Sequence, residues 1–510
     1  MTAFVLVPGM FTDGHVWEAT AARLGEAGAE AHPVRLEGPP GAADLDAHIA
    51  QVVTAIDAAG RDVVLVGHDY GMWPVLGAAD LRADRIARIV FVDTAMPPEG
   101  SPALAAVPDQ ELRARLAERA GAGESGGVLP PPSGRAEWER WGSTAGVSDA
   151  ALDRLTALAR PQPLGTLLQP PRRTGAAASV PTTGVLCTAA GVNLALLQQL
   201  VDFGDPAMRA LAAPGVTFFE LPTGHWPMLS CPDDLAEALL GAAAGEGRRL
   251  VAAGAGKPPA HLRPFPLAVP EVPGDRRGDV DLYVPSGAGG PLPAVVFVHG
   301  GPVPAGARPT PREWPTLVGY ARAAAARGVI GVTVDHRLHD VGAYPVAARD
   351  VADAVELVRS DPRVDAGRIA LWFFSGGGPL SAEWLESPPA WLRAVGFSYP
   401  LLVPMPDWGL PKGRFRPVDA VCGAGDLPLV LLRAGREAPA LAAGVEEFRT
   451  AVKDAGARLE VVDVPNGRHA FESLDPVEEW GDAVRYALDT VTGRLTEGAA
   501  PGQTGTPASR

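Results

Sequence analysis

The sequence predicts an α/β protein of two consecutive units, each a mostly parallel sheet flanked by helices, the first with a helical cap. Three observations carry that reading. Short apolar, β-branched runs alternate with amphipathic stretches in both halves of the chain, the order that builds parallel sheets. A segment rich in Ala, Gly and Pro, 246–262, interrupts the pattern midway and reads as a linker. Each half also contains a strand running into a tight turn built around one polar side chain: Gly67-His68-Asp69-Tyr70-Gly71, and Phe373-Phe374-Ser375-Gly376-Gly377-Gly378. The chain has 510 residues, which suits two domains of about 250 residues each.

In the first unit, residues 1–245, Phe4–Val7 reads as a strand and Trp17–Ala27 as a helix with apolar residues near helical period. Asp46–Ala58 is a helix, Val63–Val66 a strand, Gly71–Ala79 a helix and Ile89–Val92 a strand. From about 95 to 180 the pattern changes. Prolines accumulate, and the helices Asp109–Ala120 and Asp149–Ala159 are separated by loops, as expected of a cap inserted over the sheet edge. Strands resume at Thr183–Leu186 and Val216–Leu221, and the helix Asp233–Ala244 closes the unit.

The second unit, 263–495, has strands at Val280–Val284, Ala294–Val298, Ile330–Val334, Ile369–Phe373, Ala394–Ser398, Pro428–Leu432 and Leu459–Val464. A helix spans Val346–Arg359, and the last helix spans Pro476–Thr492 with Gly493 as its stop. The tail 496–510 has no apolar pattern and reads as disordered.

Composition narrows the function. Apolar residues make up 47% and charged residues 20%, the balance of a globular protein. The net charge is −15 with no Lys/Arg block, so neither nucleic acid nor an anionic membrane surface is an expected partner. The three cysteines, Cys187, Cys231 and Cys422, lack paired spacing. They read as small buried residues rather than as disulfides or metal ligands. The N-terminus enters a strand at once, without a basic leader, and no long apolar run follows, so a cytoplasmic location is the expectation. No cofactor and no metal are implied; the expected partner is a small-molecule substrate.

Ligands of parallel sheets sit at the carboxyl ends of the strands. Asp69 and Asp93 lie at two such ends, and His225 follows a third in Thr223-Gly224-His225-Trp226-Pro227. A nucleophile, an imidazole and an orienting carboxylate form a generalised triad. Pro8-Gly9-Met10, after the first strand, and Tyr70 offer backbone N–H groups for an oxyanion hole. The central aspartate decides the chemistry. Attack on an ester would give an unstable anhydride, whereas attack on saturated carbon displaces a halide or opens an epoxide and leaves an ester that water hydrolyses. The other reading of Asp69 is an inert replacement of serine.

In the second unit, Val298-His299-Gly300-Gly301-Pro302 is a glycine-rich turn whose N–H groups at Gly300 and Gly301 can face an oxyanion, with Gly376 as a further donor. Ser375, Glu437 and His469 follow in the order nucleophile, acid, base. His299 is expected to shape the turn, and Asp426 is a poorer candidate acid than Glu437. Phe373 stands two residues before the nucleophile, where a small residue is expected, and should crowd the turn unless the next helix shifts.

These residues carry a family resemblance. Residues 1–245 resemble the α/β-hydrolase superfamily: Trp17–Leu24, Gly67–Gly71, Val92–Gly100 and Gly224–Asp234 look like small methylesterase-type members. The elbow aspartate resembles that of haloalkane and fluoroacetate dehalogenases and epoxide hydrolases, with Asp93 in the place of the third triad member. Residues 263–495 resemble dienelactone-hydrolase-like esterases and acyl-peptidase-type relatives through the His-Gly-Gly turn and Gly467-Arg468-His469-Ala470-Phe471. The first unit departs from its relatives: Tyr70 stands where Trp or Arg is usual, Pro8-Gly9 replaces His-Gly, and 95–180 contains no tyrosine. The resemblance implies a two-domain hydrolase, the second domain a serine esterase or lactonase and the first an aspartate-nucleophile hydrolase. Non-catalytic scaffold domains and a cyclase or lyase on the same fold are the alternatives.

Overall fold

The computed structural model describes residues 2–496 except 38–42, 61, 98, 108–109, 124–125, 204–205, 252–257, 288, 405–407, 409 and 411–412. The centre of the expected linker and residues 497–510 of the expected disordered tail thus lie outside the described residues, while Thr496 ends the last helix. The chain folds as two compact units that divide near residue 255.

The sheet of the first unit has six strands: β1 (Ala3–Val7), β2 (Glu30–Pro33), β3 (Val63–His68), β4 (Ile86–Val92), β5 (Thr182–Cys187) and β6 (Val216–Leu221). Their order is β2-β1-β3-β4-β5-β6, and every pairing is parallel. β1 and β3 are buried along their whole length. A strand covered on both faces must be apolar throughout, which is why these two read as continuous runs. The helices Glu18–Glu26, Leu45–Ala59, Met72–Leu81 and Pro232–Ala243 supply the cover. Asp44 starts the second of these by accepting the Ala47 N–H at 2.9 Å.

Strand β2 escapes a pattern reading. Its sequence Glu-Ala-His-Pro is polar, half-exposed and at the sheet edge, where no apolar run is required. The region between β4 and β5 holds the helices Gln110–Gly121 and Asp149–Leu158 and a two-stranded ribbon pairing Val128–Leu129 with Gln162–Pro163. Leu194–Phe203 and Pro206–Leu211 are further helices that the sequence reading did not place.

The second unit has eight strands: β7 (Gly274–Arg277), β8 (Val280–Tyr283), β9 (Leu292–Val298), β10 (Ile330–Val334), β11 (Val364–Phe374), β12 (Leu392–Ser398), β13 (Pro428–Arg436) and β14 (Arg458–Arg468). Their order is β14-β13-β12-β11-β9-β10-β8-β7. β8 runs antiparallel to both neighbours and the remaining pairs are parallel. Pro315–Ala325 and Pro439–Ala455 are helices with proline in the first turn that the sequence reading did not place. The last helix is Gly481–Thr496, and Gly493 does not stop it. Leu488, Val491, Thr492 and Leu495 bury one face of the last turns, and that packing outweighs the ~1 kcal/mol preference of an interior Gly for leaving the helix.

Close helix–sheet contact in this unit rests on Gly331 of β10. A Cβ there would lie 2.1 Å from the carbonyl oxygen of Ala321 in Pro315–Ala325. Backbone cannot move aside as a flexible side chain does. Gly331→Ala is therefore expected to destabilise the protein by about 1–3 kcal/mol, read as a lower denaturant midpoint in equilibrium unfolding. An unchanged midpoint would show that the helix is free to shift.

Candidate active sites

In the second unit, β11 delivers Ser375 at its carboxyl end with φ of 49°. Such a left-handed residue turns the chain sharply and projects its side chain away from the sheet. The surrounding backbone is closer than side chains permit. A Cβ on Gly300 would lie 2.8 Å from Ser375 Cβ, and one on Gly376 would lie 2.1 Å from the Gly301 carbonyl oxygen. The glycine turn after β9 and the elbow after β11 are thus pressed together beside Ser375.

The Ser375 hydroxyl donates to His469 Nε2 at 2.6 Å. His469 Nδ1 donates to Glu437 Oε2 at 2.7 Å, and Glu437 Oε1 accepts the Ala438 N–H at 3.0 Å. Burial opposes charge on His469, but the adjacent Glu437 carboxylate outweighs it and lifts the imidazole above its ordinary value. Asp426 is exposed and pairs with Arg458, away from this chain of bonds. His299 stacks on His336 with ring centroids 3.6 Å apart, and its carbonyl accepts from His336 Nε2 at 3.0 Å. Burial lowers its pKa to about 4, so it is a neutral brace for the turn.

Phe373 does not crowd the elbow. Its ring is fully buried and stacked on Phe397, centroids 6.1 Å apart. The first unit shows why space exists. There a Cβ at the equivalent Gly67 would lie 2.6 Å from Met72 Sδ and 3.0 Å from Val75 Cγ2, on the helix that starts directly after the turn. In the second unit Ser375–Ser381 is a tight 3₁₀ segment and the α-helix begins only at Ala382. The displaced helix leaves its seat to the ring.

In the first unit, β3 delivers Asp69 with φ of 47°, and β4 delivers Asp93 with φ of 45°. A Cβ on Gly71 would lie 2.6 Å from the Pro8 carbonyl oxygen, and one on Gly9 would lie 2.5 Å from His68 Nδ1. The turn after β1 therefore packs on the elbow as its counterpart does in the second unit. The Met10 N–H donates to Asp69 Oδ2 at 3.1 Å, and the Tyr70 N–H also favours the carboxylate. His225 Nδ1 donates to Asp93 Oδ2 at 2.8 Å, while Asp93 Oδ1 accepts the Cys187 N–H at 3.0 Å.

Several contributing residues gave no sequence signal of their own. His68 Nε2 donates to the His225 carbonyl at 2.8 Å. Burial, reinforced by the neighbouring His225, lowers the His68 pKa to about 3 and keeps it neutral. From the cap, the Ser143 carbonyl accepts the His225 N–H at 2.8 Å and the Ala145 carbonyl accepts the Gly224 N–H at 3.0 Å. Gly142 touches the base itself: a Cβ there would lie 2.5 Å from His225 Cβ. Trp138 is buried, its Nε1–H on Thr156 Oγ1 at 2.9 Å and its ring edge-on to Trp226 and Phe11, which makes it a packing residue. Trp141 packs edge-on to Phe11, centroids 4.7 Å apart. Of the cysteines only Cys187 is buried; Cys422 is exposed, against the expectation from composition. Among the described residues no cluster of three or more His, Cys, Asp or Glu could hold a metal, and no helix is long and apolar enough to cross a membrane.

The two carboxylates of the first unit are electrostatically opposite. Burial raises Asp93, but the His225 hydrogen bond and charge outweigh it and hold the group below its ordinary value. Burial dominates at Asp69 and pushes it up despite His225 and the two N–H donors. A lowered carboxylate stabilises the fold above the ordinary carboxylate range and loses that contribution as pH falls through its folded value. A raised one does the reverse, opposing folding once pH exceeds its unfolded value. At pH 7, Asp93→Asn is expected to destabilise the first unit by about 1–3 kcal/mol. Asp69→Asn is expected to stabilise it at the same pH, as relief of strain at a functional site does. Denaturant unfolding of both variants at pH 7 and pH 4 checks the signs, and equal destabilisation by both would contradict this account.

Comparison with known proteins agrees with the architecture. The model of the Alpha/beta hydrolase family matches residues 4–238, and a family model described as BD-FAE matches residues 280–383. A carbendazim hydrolyzing esterase of Nocardioides sp. (strain SG-4G) is 29% identical over 265 residues, 47% of this chain and 98% of that protein. Esterase PIR7B of Oryza sativa subsp. japonica is 32% identical over 124 residues, 22% of this chain and 46% of that protein. An extracellular α/β-hydrolase from a Paenibacillus species is 21% identical with a TM-score of 0.38, covering 48% of this chain and 99% of its own. Residues 4–238 thus match the Alpha/beta hydrolase family model, and the chain is a hydrolase of the α/β-hydrolase fold that is similar to esterases.

Proposed function

We propose that the second unit is a serine esterase acting on small to medium, neutral organic esters or lactones. The observation that carries this reading is the unbroken chain of short hydrogen bonds from Ser375 through His469 to Glu437, 2.6 and 2.7 Å. In the reaction, His469 Nε2 takes the Ser375 proton as Oγ bonds to the acyl carbon. Glu437 holds the imidazole in the tautomer that accepts at Nε2 and steadies the imidazolium that forms. The N–H groups of Gly300, Gly301 and Gly376 receive the oxyanion. His469 then returns the proton to the leaving alkoxide, and water repeats the sequence on the acyl-enzyme. Ser375→Ala is expected to lower hydrolysis of p-nitrophenyl acetate by about 10³-fold or more, because nucleophile and base act as a unit. Wild-type rates in that variant would remove Ser375 from the role of nucleophile.

For the first unit the reading is an aspartate-nucleophile hydrolase of epoxides or carbon–halide bonds. It is favoured by the Met10 N–H pinning one Asp69 oxygen at 3.1 Å while His225 is oriented by Asp93. Asp69 attacks saturated carbon and either expels a halide ion or opens an epoxide, whose oxygen stays on the alkyl group and takes a proton from water; His225 then activates the water that cleaves the resulting ester, returning the Asp69 carboxylate and an alcohol or diol. Removing the base while keeping the nucleophile traps that ester. His225→Gln incubated with an epoxide and alkyl-halide panel is expected to gain one alkyl mass from a halide, or one hydroxyalkyl mass from an epoxide, located on Asp69 by peptide mapping. No adduct with any electrophile would instead mark the first unit as a non-catalytic scaffold. The esterase relatives of this half set a further control: an Asp69→Ser variant that reacts with fluorophosphonate at the introduced hydroxyl would identify a former serine site.

A further inference from the structure

The second site contains a carboxyl group that the proposed ester chemistry does not use. Glu472 lies three residues after His469, in the short helix Phe471–Leu474, and is 3% exposed. Tyr320, itself fully buried on the helix Pro315–Ala325, donates its hydroxyl to Glu472 Oε1 at 2.6 Å. Glu472 Oε2 is buried without a hydrogen-bond partner. Tyr399, left-handed with φ of 38°, sets its ring edge against His469 at 5.0 Å and against Phe471 at 5.1 Å. An acid buried in so apolar a shell, bonded by Tyr320 at one oxygen and with the Tyr399 hydroxyl also acting on it, is costly to retain as packing alone.

We propose that Glu472 is a positioning residue of the second site: a second carboxylate that acts on His469 through space and through Tyr399, beside the direct bond from Glu437. This rests on the reading of Ser375 and His469 as nucleophile and base. The ionisable groups facing Glu472 are Tyr320, Tyr399 and His469, with Glu437 on the far side of the imidazole. Burial is the largest influence on Glu472 and raises its pKa to about 7, against the opposing effects of Tyr320, Tyr399 and His469. The Glu472 charge in turn favours protonated His469. The consequence has a definite sign. Below about pH 7 Glu472 is neutral and contributes little. As pH rises through that value its carboxylate forms and makes the imidazole a stronger base, so the two groups titrate as a coupled pair.

The test compares wild type, Glu472→Gln and Tyr399→Phe. Fluorophosphonate labelling of the wild type, followed by peptide mapping, first decides whether Ser375 is the nucleophile; absence of label at Ser375 overturns the ester reading and the positioning role with it. With label present, Glu472→Gln is expected to lower kcat for p-nitrophenyl acetate by about 3- to 30-fold with little change in KM. It is also expected to move the acidic limb of the pH–rate profile to lower pH. Proton NMR of the His469 Nδ1–H resonance should show the same downward displacement of the imidazole titration without reference to turnover. Tyr399→Phe, which keeps the ring and removes the hydroxyl, should reproduce part of the shift, and it keeps the proposal testable if Glu472→Gln does not fold. A labelled wild type with variants whose kcat, acidic limb and imidazole titration all match it would reduce Glu472 to a packing residue.

Discussion

Both candidate sites depend on one constraint: two stretches of backbone must approach more closely than a Cβ allows. In each unit a turn leaving one strand lies against the elbow leaving its neighbour, Pro8 against Gly71 and Gly301 against Gly376. That approach puts peptide N–H groups where a polar side chain on a left-handed residue can meet them. The strain of the left-handed Asp69 and Ser375 is sustained because β3 and β11, each paired on both sides in its sheet, fix the chain that enters the turn. The histidine on its later loop and the carboxylate bonded to it complete each site around this crossing.

Electrostatics separates the two units although the geometry is alike. In the second, charge is shared along a line from Glu437 to His469, and the elbow side chain is a neutral hydroxyl. In the first, the elbow itself carries a buried carboxyl, and its neighbours supply donors instead of a proton acceptor. A carboxylate needs N–H groups to hold its charge; a hydroxyl needs a base to ionise it. The hydrogen bonds around Asp69 and around Ser375 differ in that sense.

Much of this was legible in the sequence because it is local. An apolar run ending in a small-residue turn announces an elbow, and glycines after a strand announce a close approach. The three strand-end residues of each unit could therefore be named, and the structure brings Asp93 to His225 and Glu437 to His469. What escaped depends on distant partners. Strand β2 is polar because it lies at an edge. Gly493 passes for a helix stop until the buried face beyond it is seen. Phe373 looked obstructive because its fit depends on where a later helix begins. Gly142 and Ser143 carry no motif; their contact with the His225 loop exists only once the cap has folded over it.

That last contact ties access to chemistry in the first unit. The cap main chain is stitched to the loop of the base by the bonds from Gly224 and His225 to Ala145 and Ser143, and Gly142 leaves no clearance above the imidazole. A lid that swings away as a rigid piece would drag His225 out of register with Asp93. The segment 142–145 is thereby a fixed part of the wall around His225.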